Sequence, residues 1–176
     1  MLTTANVLPP IAPCVIALVV AAASTDLQCR RIPNLLVGAG LFGALLVQCW
    51  LKGIGAGAMA WLTGAVVGLA LFLPFYLVRG MAAGDVKLLA MVGAWIGPLL
   101  VFYAALATCV IGGAWMLVLI VRRHQLGKVW ANLRVIAHPA LQGSGSARDS
   151  IDSVGSVPYG VAIAAGTIAV LLTASA

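Results

Sequence analysis

The composition of this chain of 176 residues indicates that most of it is surrounded by lipid rather than water. Apolar residues make up 63% of the sequence and charged residues only 8%, whereas a soluble domain usually carries about 25% charged residues. The net charge of +6 comes from basic residues between apolar runs, which favours membrane topology and anionic lipid over nucleic acid. The four cysteines form no C-x-x-C pair, and the sequence predicts no disulfide framework, metal site or cofactor.

Six apolar segments predict an all-α fold, a polytopic membrane bundle of about six transmembrane helices in a single domain, residues 1–176. The predicted spans cover residues 7–25, 34–51, 55–78, 85–97, 99–121 and 159–173. Asn34 is expected to cap the second helix. Glycine pairs at a spacing of four predict close approach between helices; they are Gly53 with Gly57, Gly64 with Gly68, and Gly93 with Gly97.

The longest connection, residues 122–157, has two parts. From 123 to 138 apolar residues recur on one helical face, with Arg123 and Lys128 on the other. This pattern indicates either a basic amphipathic helix lying on the membrane surface or an ordinary packed loop helix. Residues 143–153 have a Ser/Gly-rich composition and are predicted to be a flexible linker.

The positions of the cations predict the topology. Only Lys52 lies on one side, whereas nine basic residues lie in or beside the connections after the first, third and fifth spans, namely Arg30, Arg31, Arg79, Lys87, Arg122, Arg123, Lys128, Arg134 and Arg148. By the positive-inside rule these connections face the cytoplasm and both termini face away from it. Asp26 and Asp85 then both lie at cytoplasmic ends of helices.

Of the four acidic residues, only Asp26 and Asp85 are predicted to lie within the membrane bundle. Asp149 and Asp152 fall in the linker, where solvation is expected. The fourth span is ~20 Å long against a hydrocarbon core of ~30 Å, so Asp85 is expected in a recess beside the small, irregular residues 80–84.

Each embedded acid has a structural explanation when taken alone. Asp26 is interpreted either as a membrane-border acid neutralised by Arg30 or as a functional group. Asp85 is interpreted either as a helix N-cap paired with Lys87 or as a functional group. Two acids at one depth in one small bundle predict a carboxylate dyad, in which the two groups share a proton.

A carboxylate dyad performs general acid–base hydrolysis without a metal. The ionised group takes a proton from water, which attacks a carbonyl, while the protonated group donates to the carbonyl oxygen. Because a helix dipole favours an anion at the N-terminus and disfavours one at the C-terminus, Asp85 is expected to be the base and Asp26 the acid.

Three short segments resemble motifs of one known family. Residues 26–34 (DLQCRRIPN), 84–89 (GDVKLL) and 157–163 (VPYGVAI) are similar, in this order, to motifs of the type IV prepilin peptidases, a family of GxGD aspartyl membrane proteases. They resemble the first aspartate motif, the G-x-G-D motif and the start of the final helix. The resemblance implies that Asp26 and Asp85 are the catalytic pair, and the residues matching other motif positions are Asn34, Gly84, Lys87 and Tyr159.

The resemblance also implies the reaction and its place. It predicts an aspartic-type endopeptidase of the bacterial inner membrane that removes the short leader of prepilins at the cytoplasmic face, for pilus or secretion-system biogenesis. Ala82 replaces the first glycine of G-x-G-D. The chain lacks the cytoplasmic loop with paired cysteines of larger members, so it resembles the short, peptidase-only branch linked to Flp (tight-adherence) pili, without methyltransferase activity.

Two functions of other classes stay open on the sequence. One is a small proton-coupled transporter with Asp85 and Lys87 in a polar pathway, and the other is a non-catalytic scaffold for pilus assembly. Both acids lie at one face and no inverted repeat is recognisable, which favours the peptidase. The expected partners are prepilins and the lipid bilayer, not nucleic acid.

Overall fold

A computed structural model describes residues 10–78, 80–122 and 159–175 of the chain. These ranges contain six α-helices and no strand, in the order α1 (Ile11–Cys29), α2 (Asn34–Lys52), α3 (Ile54–Leu77), α4 (Ala83–Ile96), α5 (Pro98–Arg122) and α6 (Tyr159–Ser175). The all-α prediction is therefore confirmed for the described part. The predicted amphipathic helix and linker, with Asp149 and Asp152, lie outside it.

Four of the helices, α1, α2, α3 and α5, are long and apolar enough to cross a membrane, and α6 is a shorter apolar helix. In lipid a helix satisfies its own backbone hydrogen bonds, which is why long apolar runs fold this way. The contacts group the chain into two units, Met1–Gly112 with Pro158–Ala176, and Gly113–Val157. The side chains of the candidate site described below belong to the first unit.

Helix boundaries agree with the predicted ones to within a few residues, and the differences bear on the acids. α1 runs on to Cys29 and ends where Arg30 adopts a left-handed conformation, with φ 50° and ψ 32°. Asp26 therefore lies inside the last turn rather than after the helix. Asn34 is the first residue of α2, and the extended Pro33 occupies the cap position, without a side-chain capping bond. The prediction that Asn34 caps α2 is wrong by one residue.

The short helix α4 lies at the centre of the first unit. Eleven of its 14 residues are buried, and its contact with α3 is the most extensive between any two helices described. Glycines make this contact possible, because a Cβ on Gly64 would collide with the Gly93 carbonyl and one on Gly68 with the Leu89 carbonyl. A Cβ on Gly57 would likewise collide with the backbone of α2 at Gln48.

These contacts confirm the predicted packing role for four of the six glycines. The other two, Gly53 and Gly97, serve a different purpose. Both have φ 83° and lie where a helix ends, a conformation that glycine adopts without steric cost.

The C-terminal end of α4 is bound to α2. The buried Gln48 Nε2 donates to the carbonyl oxygens of Trp95 at 2.8 Å and Ala94 at 3.3 Å. The Trp95 indole in turn donates to the Gly40 carbonyl at 2.9 Å. The last carbonyls of a helix have no intrahelical partner, and away from water such groups need another donor. These bonds therefore hold the end of α4 inside the bundle.

Candidate functional site

Asp26 lies on the only buried stripe of α1, one turn from its end. The stripe faces the protein and consists of Ile11, Val15, Val19, Ala22 and Asp26. The Asp26 side chain is 7% exposed, and its Oδ2 accepts a hydrogen bond of 2.9 Å from the backbone N–H of Gly160 in the first turn of α6. The contact between α1 and α6 therefore includes a polar link at the carboxylate.

Asp85 lies in the first turn of α4 and is 5% exposed. Its own N–H donates to the carbonyl of Ala82 at 3.1 Å. Ala82, in an extended conformation with φ −77° and ψ 150°, occupies the N-cap position without a side-chain capping bond. The interpretation of Asp85 as an N-cap is thus wrong, and the carboxylate is buried instead at the start of the central helix.

The structure brings the two acids together. Asp26 and Asp85 interact electrostatically, and Asp85 interacts in the same way with Tyr159 of α6. The end of the bundle where these groups meet, formed by the C-terminus of α1 and the N-termini of α2, α4 and α6, is called the aspartate end below. Within the described ranges, no three His, Cys, Asp or Glu side chains form a group that would hold a metal ion.

Three further residues singled out from the sequence take part in two more contacts at the aspartate end. The Lys87 Nζ donates to the Asn34 Oδ1 at 3.2 Å, so the described bond of this cation joins α4 to α2 instead of pairing with Asp85. Gly84 lies against Ile32, and a Cβ on Gly84 would be 3.4 Å from that side chain. These contacts fix the start of α4 against the connection between α1 and α2.

A comparison with known families identifies one that this chain matches. Residues 14–117 match the model of a family described as the type IV leader peptidase family. The match spans more than half of the chain and contains both buried acids. The chain belongs to the type IV leader peptidase family. No curated protein and no solved structure matched it.

Membership confirms the resemblance noted from the sequence and makes the chain a member of a protease family with membrane helices. Two residues that hold the helices of this chain together, Gly160 and Gln48, were nevertheless not singled out from the sequence. Gly160 contributes only a backbone N–H to Asp26, which no side-chain pattern reveals. Gln48 does carry a signal, because an isolated amide within an apolar span needs a buried partner.

Proposed function

We propose that this leader peptidase is an aspartic endopeptidase that removes the leader from Flp-like type IV prepilins, with Asp26 and Asp85 as its catalytic residues. The observation that carries the proposal is the meeting of two buried, electrostatically interacting carboxylates from separate helices. In buried sites, two such groups act as an acid–base pair because they do not both ionise cheaply.

In the proposed reaction, the ionised carboxylate takes a proton from water as the water oxygen attacks the scissile carbonyl carbon. The protonated carboxyl group gives its proton to the carbonyl oxygen, so a neutral gem-diol forms. The carboxyl group that received the proton from water then donates it to the amide nitrogen as the C–N bond breaks. The other carboxylate recovers a proton from the diol, which leaves a carboxylic acid and an amine.

The topology, the branch of the family and the supporting residues are proposed from the sequence. The excess of cations beside the aspartate end supports a cytoplasmic site, with both termini on the far side of a bacterial inner membrane crossed several times. The short segment between Asp26 and Asn34 supports the peptidase-only branch without methyltransferase activity. Lys87, Asn34, Gly84 and Tyr159 are proposed to support the start of α4 and the dyad.

The test is co-expression of the protein with an Flp-like prepilin, followed by mass spectrometry of the pilin N-terminus. Asp26→Asn and Asp85→Asn keep the side-chain shape and remove the acid–base group, so each is expected to lower cleavage at least about 100-fold. Asp149→Asn and Asp152→Asn are the matched controls and are expected to cleave normally. A thermal unfolding measurement in detergent checks that all four variants are folded.

Two results would contradict the proposal in different ways. Leader removal that survives both Asp26→Asn and Asp85→Asn would exclude the dyad mechanism. The second result is that the folded native protein leaves the leaders of several co-expressed Flp-like prepilins intact. It would exclude the proposed substrate class and favour the transporter or the scaffold function.

A further inference from the structure

The hydrogen bond between Gly160 and Asp26 joins groups that are 134 residues apart in the sequence. Gly160 is the second residue of α6, and backbone N–H groups in the first turn of a helix have no intrahelical acceptor. A carboxylate placed there accepts a charge-assisted hydrogen bond and also benefits from the helix dipole. The donor atom and the acceptor are therefore matched to an ionised Asp26.

Residue 160 also lies too close to Asp26 for any side chain. A Cβ at this position would be 2.8 Å from the Asp26 Oδ2, 3.0 Å from its Cβ and 3.2 Å from its Cγ. Contacts this short force one of the two groups to move. Only glycine allows the backbone of α6 to approach the carboxylate closely enough to donate to it.

We propose that Gly160 is a positioning residue that holds Asp26 as the ionised partner of the dyad, so that Asp26 is the base that activates water and Asp85 is the acid. This inference rests on the proposed function and deepens it. It reverses the assignment predicted from the sequence, which considered only the helix that carries each acid.

The reversal follows from what lies beside each acid. Asp26 is near the C-terminus of its own helix but also faces the N-terminus of α6, which the sequence did not reveal. Asp85 lies at the N-terminus of α4 and interacts with the backbone at Ala82, so each acid has a helix N-terminus beside it. The difference is the hydrogen bond of 2.9 Å that Gly160 donates directly to Asp26, which favours the anion there.

Other charged and titratable groups lie on the elements around Asp26, and the test must leave them unchanged. The charged and titratable residues on the elements packed around it are Cys29, Arg30, Arg31, Asp85, Lys87, Cys109 and Tyr159. Because none of these is altered when only the residue 160 N–H is removed, a change in the pH profile of that variant reports on the bond itself.

The decisive variant replaces Gly160 by glycolic acid through nonsense suppression, which converts the amide to an ester and removes the N–H without adding bulk. Cleavage of a prepilin peptide is measured as kcat/KM against pH. In a coupled dyad the acidic limb reports the first ionisation and the alkaline limb the second. If Asp26 ionises first, the acidic limb of the profile of the Gly160 ester moves to higher pH by about one to two units. This is the shift expected for the loss of one hydrogen bond to a charged group. The alkaline limb stays at its native pH.

The same ester at Gly38 is the matched control, because Gly38 is an exposed helical glycine with nothing within 4 Å of an added Cβ. Its pH profile is expected to be that of the native enzyme. A shift of the alkaline limb alone in the Gly160 ester would make Asp26 the acid and overturn the proposal. Unchanged limbs, with activity lowered equally at all pH values, would reduce Gly160 to a structural residue.

Gly160→Ala provides a second measurement that needs no unnatural residue. The added Cβ displaces the donor from Asp26, so cleavage is expected to fall at least about tenfold and to recover in part at higher pH. Gly38→Ala is expected to keep native activity. Equal activity of Gly160→Ala and the native enzyme at acidic pH would also overturn the proposal, whereas failure of the native enzyme to cleave would instead contradict the proposed function.

Discussion

The two helices that carry the acids are held in different ways. α4 is buried on nearly every side, its backbone touches α3 at glycines, and its C-terminal carbonyls are bound by Gln48. α1 is buried along a single stripe, and the described polar link at its carboxylate is one hydrogen bond from α6. Asp85 is thus positioned by close backbone packing and Asp26 by a specific donor.

Because the two helices are held differently, substitutions at their contacts should have different effects on stability and on catalysis. Backbone–backbone contacts at van der Waals distance tolerate no added atom, so a change in the contact between α3 and α4 acts on the fold of the whole unit. A change at the contact between α1 and α6 meets a side chain, which moves at smaller cost. Substitutions in the two regions should therefore differ in how far stability and activity fall together.

The largest effect on stability is expected for Gly64→Ala. Its Cβ would collide with the Gly93 carbonyl, and neither helix backbone yields without moving α4. We expect the free energy of unfolding to fall by about 3 kcal/mol or more and cleavage to be lost with it, as measured by unfolding in mixed micelles and by pilin processing.

Gly55→Ala on the same helix is the matched control, since nothing lies within 4 Å of its added Cβ. It is expected to leave the unfolding free energy within about 0.5 kcal/mol of the native value. Gly160→Ala is expected to lose activity with a much smaller loss of stability than Gly64→Ala. A stable, active Gly64→Ala protein would contradict the close backbone contact between α3 and α4.

The next effect is expected for Gln48→Leu, which tests how the far end of α4 is held. The substitution leaves the Ala94 and Trp95 carbonyls without the Gln48 donor, but it also removes a buried Oε1 for which the described residues provide no hydrogen-bond partner. These effects partly offset each other, so a loss of about 1–2 kcal/mol is expected. Unfolding of Gln48→Leu is compared with that of Gln28→Leu, which changes an exposed glutamine. Equal stabilities would show that Gln48 does not anchor α4.

The order and approximate extent of the helices could be predicted because apolar runs leave the backbone no other structure in lipid. The same reasoning found Asp26 and Asp85, since an acid within such a run is costly and therefore conspicuous. The end of α1 was placed too early because hydropathy falls at Asp26, whereas helical hydrogen bonding continues through Cys29.

What could not be predicted depends on contacts between distant segments. Gly160 acts through a backbone atom, and its partner lies at the other end of the sequence. The pairing of Lys87 with Asn34 rather than with Asp85 depends on how α2 and α4 cross. Sequence spacing identifies which residues share a helix face, but it does not state which helix end faces which acid.

A smaller effect is expected at the contact between Lys87 and Asn34. Both side chains are exposed, so solvent weakens their hydrogen bond of 3.2 Å, and the interaction is expected to stabilise the fold by less than about 1 kcal/mol. A double-mutant cycle with Lys87→Met and Asn34→Ala measures this coupling in the unfolding free energy and in cleavage. A coupling in cleavage well above the coupling in stability would show that the pair also orients the start of α4 for catalysis.

The smallest effect is expected for Ala82→Gly, which restores the first glycine of the G-x-G-D motif. Ala82 has φ −77° and ψ 150°, a region that alanine occupies without strain, and its side chain is exposed. Glycine at this position relieves no strain and gives the unfolded chain more conformational freedom. The free energy of unfolding is therefore expected to fall by about 0.5 kcal/mol, with cleavage unchanged.

Kinetics and unfolding are measured on the same preparation. The comparison is Ala83→Gly, inside the first turn of α4, which is expected to lose more stability. A clear rise in cleavage by Ala82→Gly would mean that the segment before Asp85 must leave its extended conformation during the reaction, and that Asp85 is less firmly fixed than the packing of α4 implies.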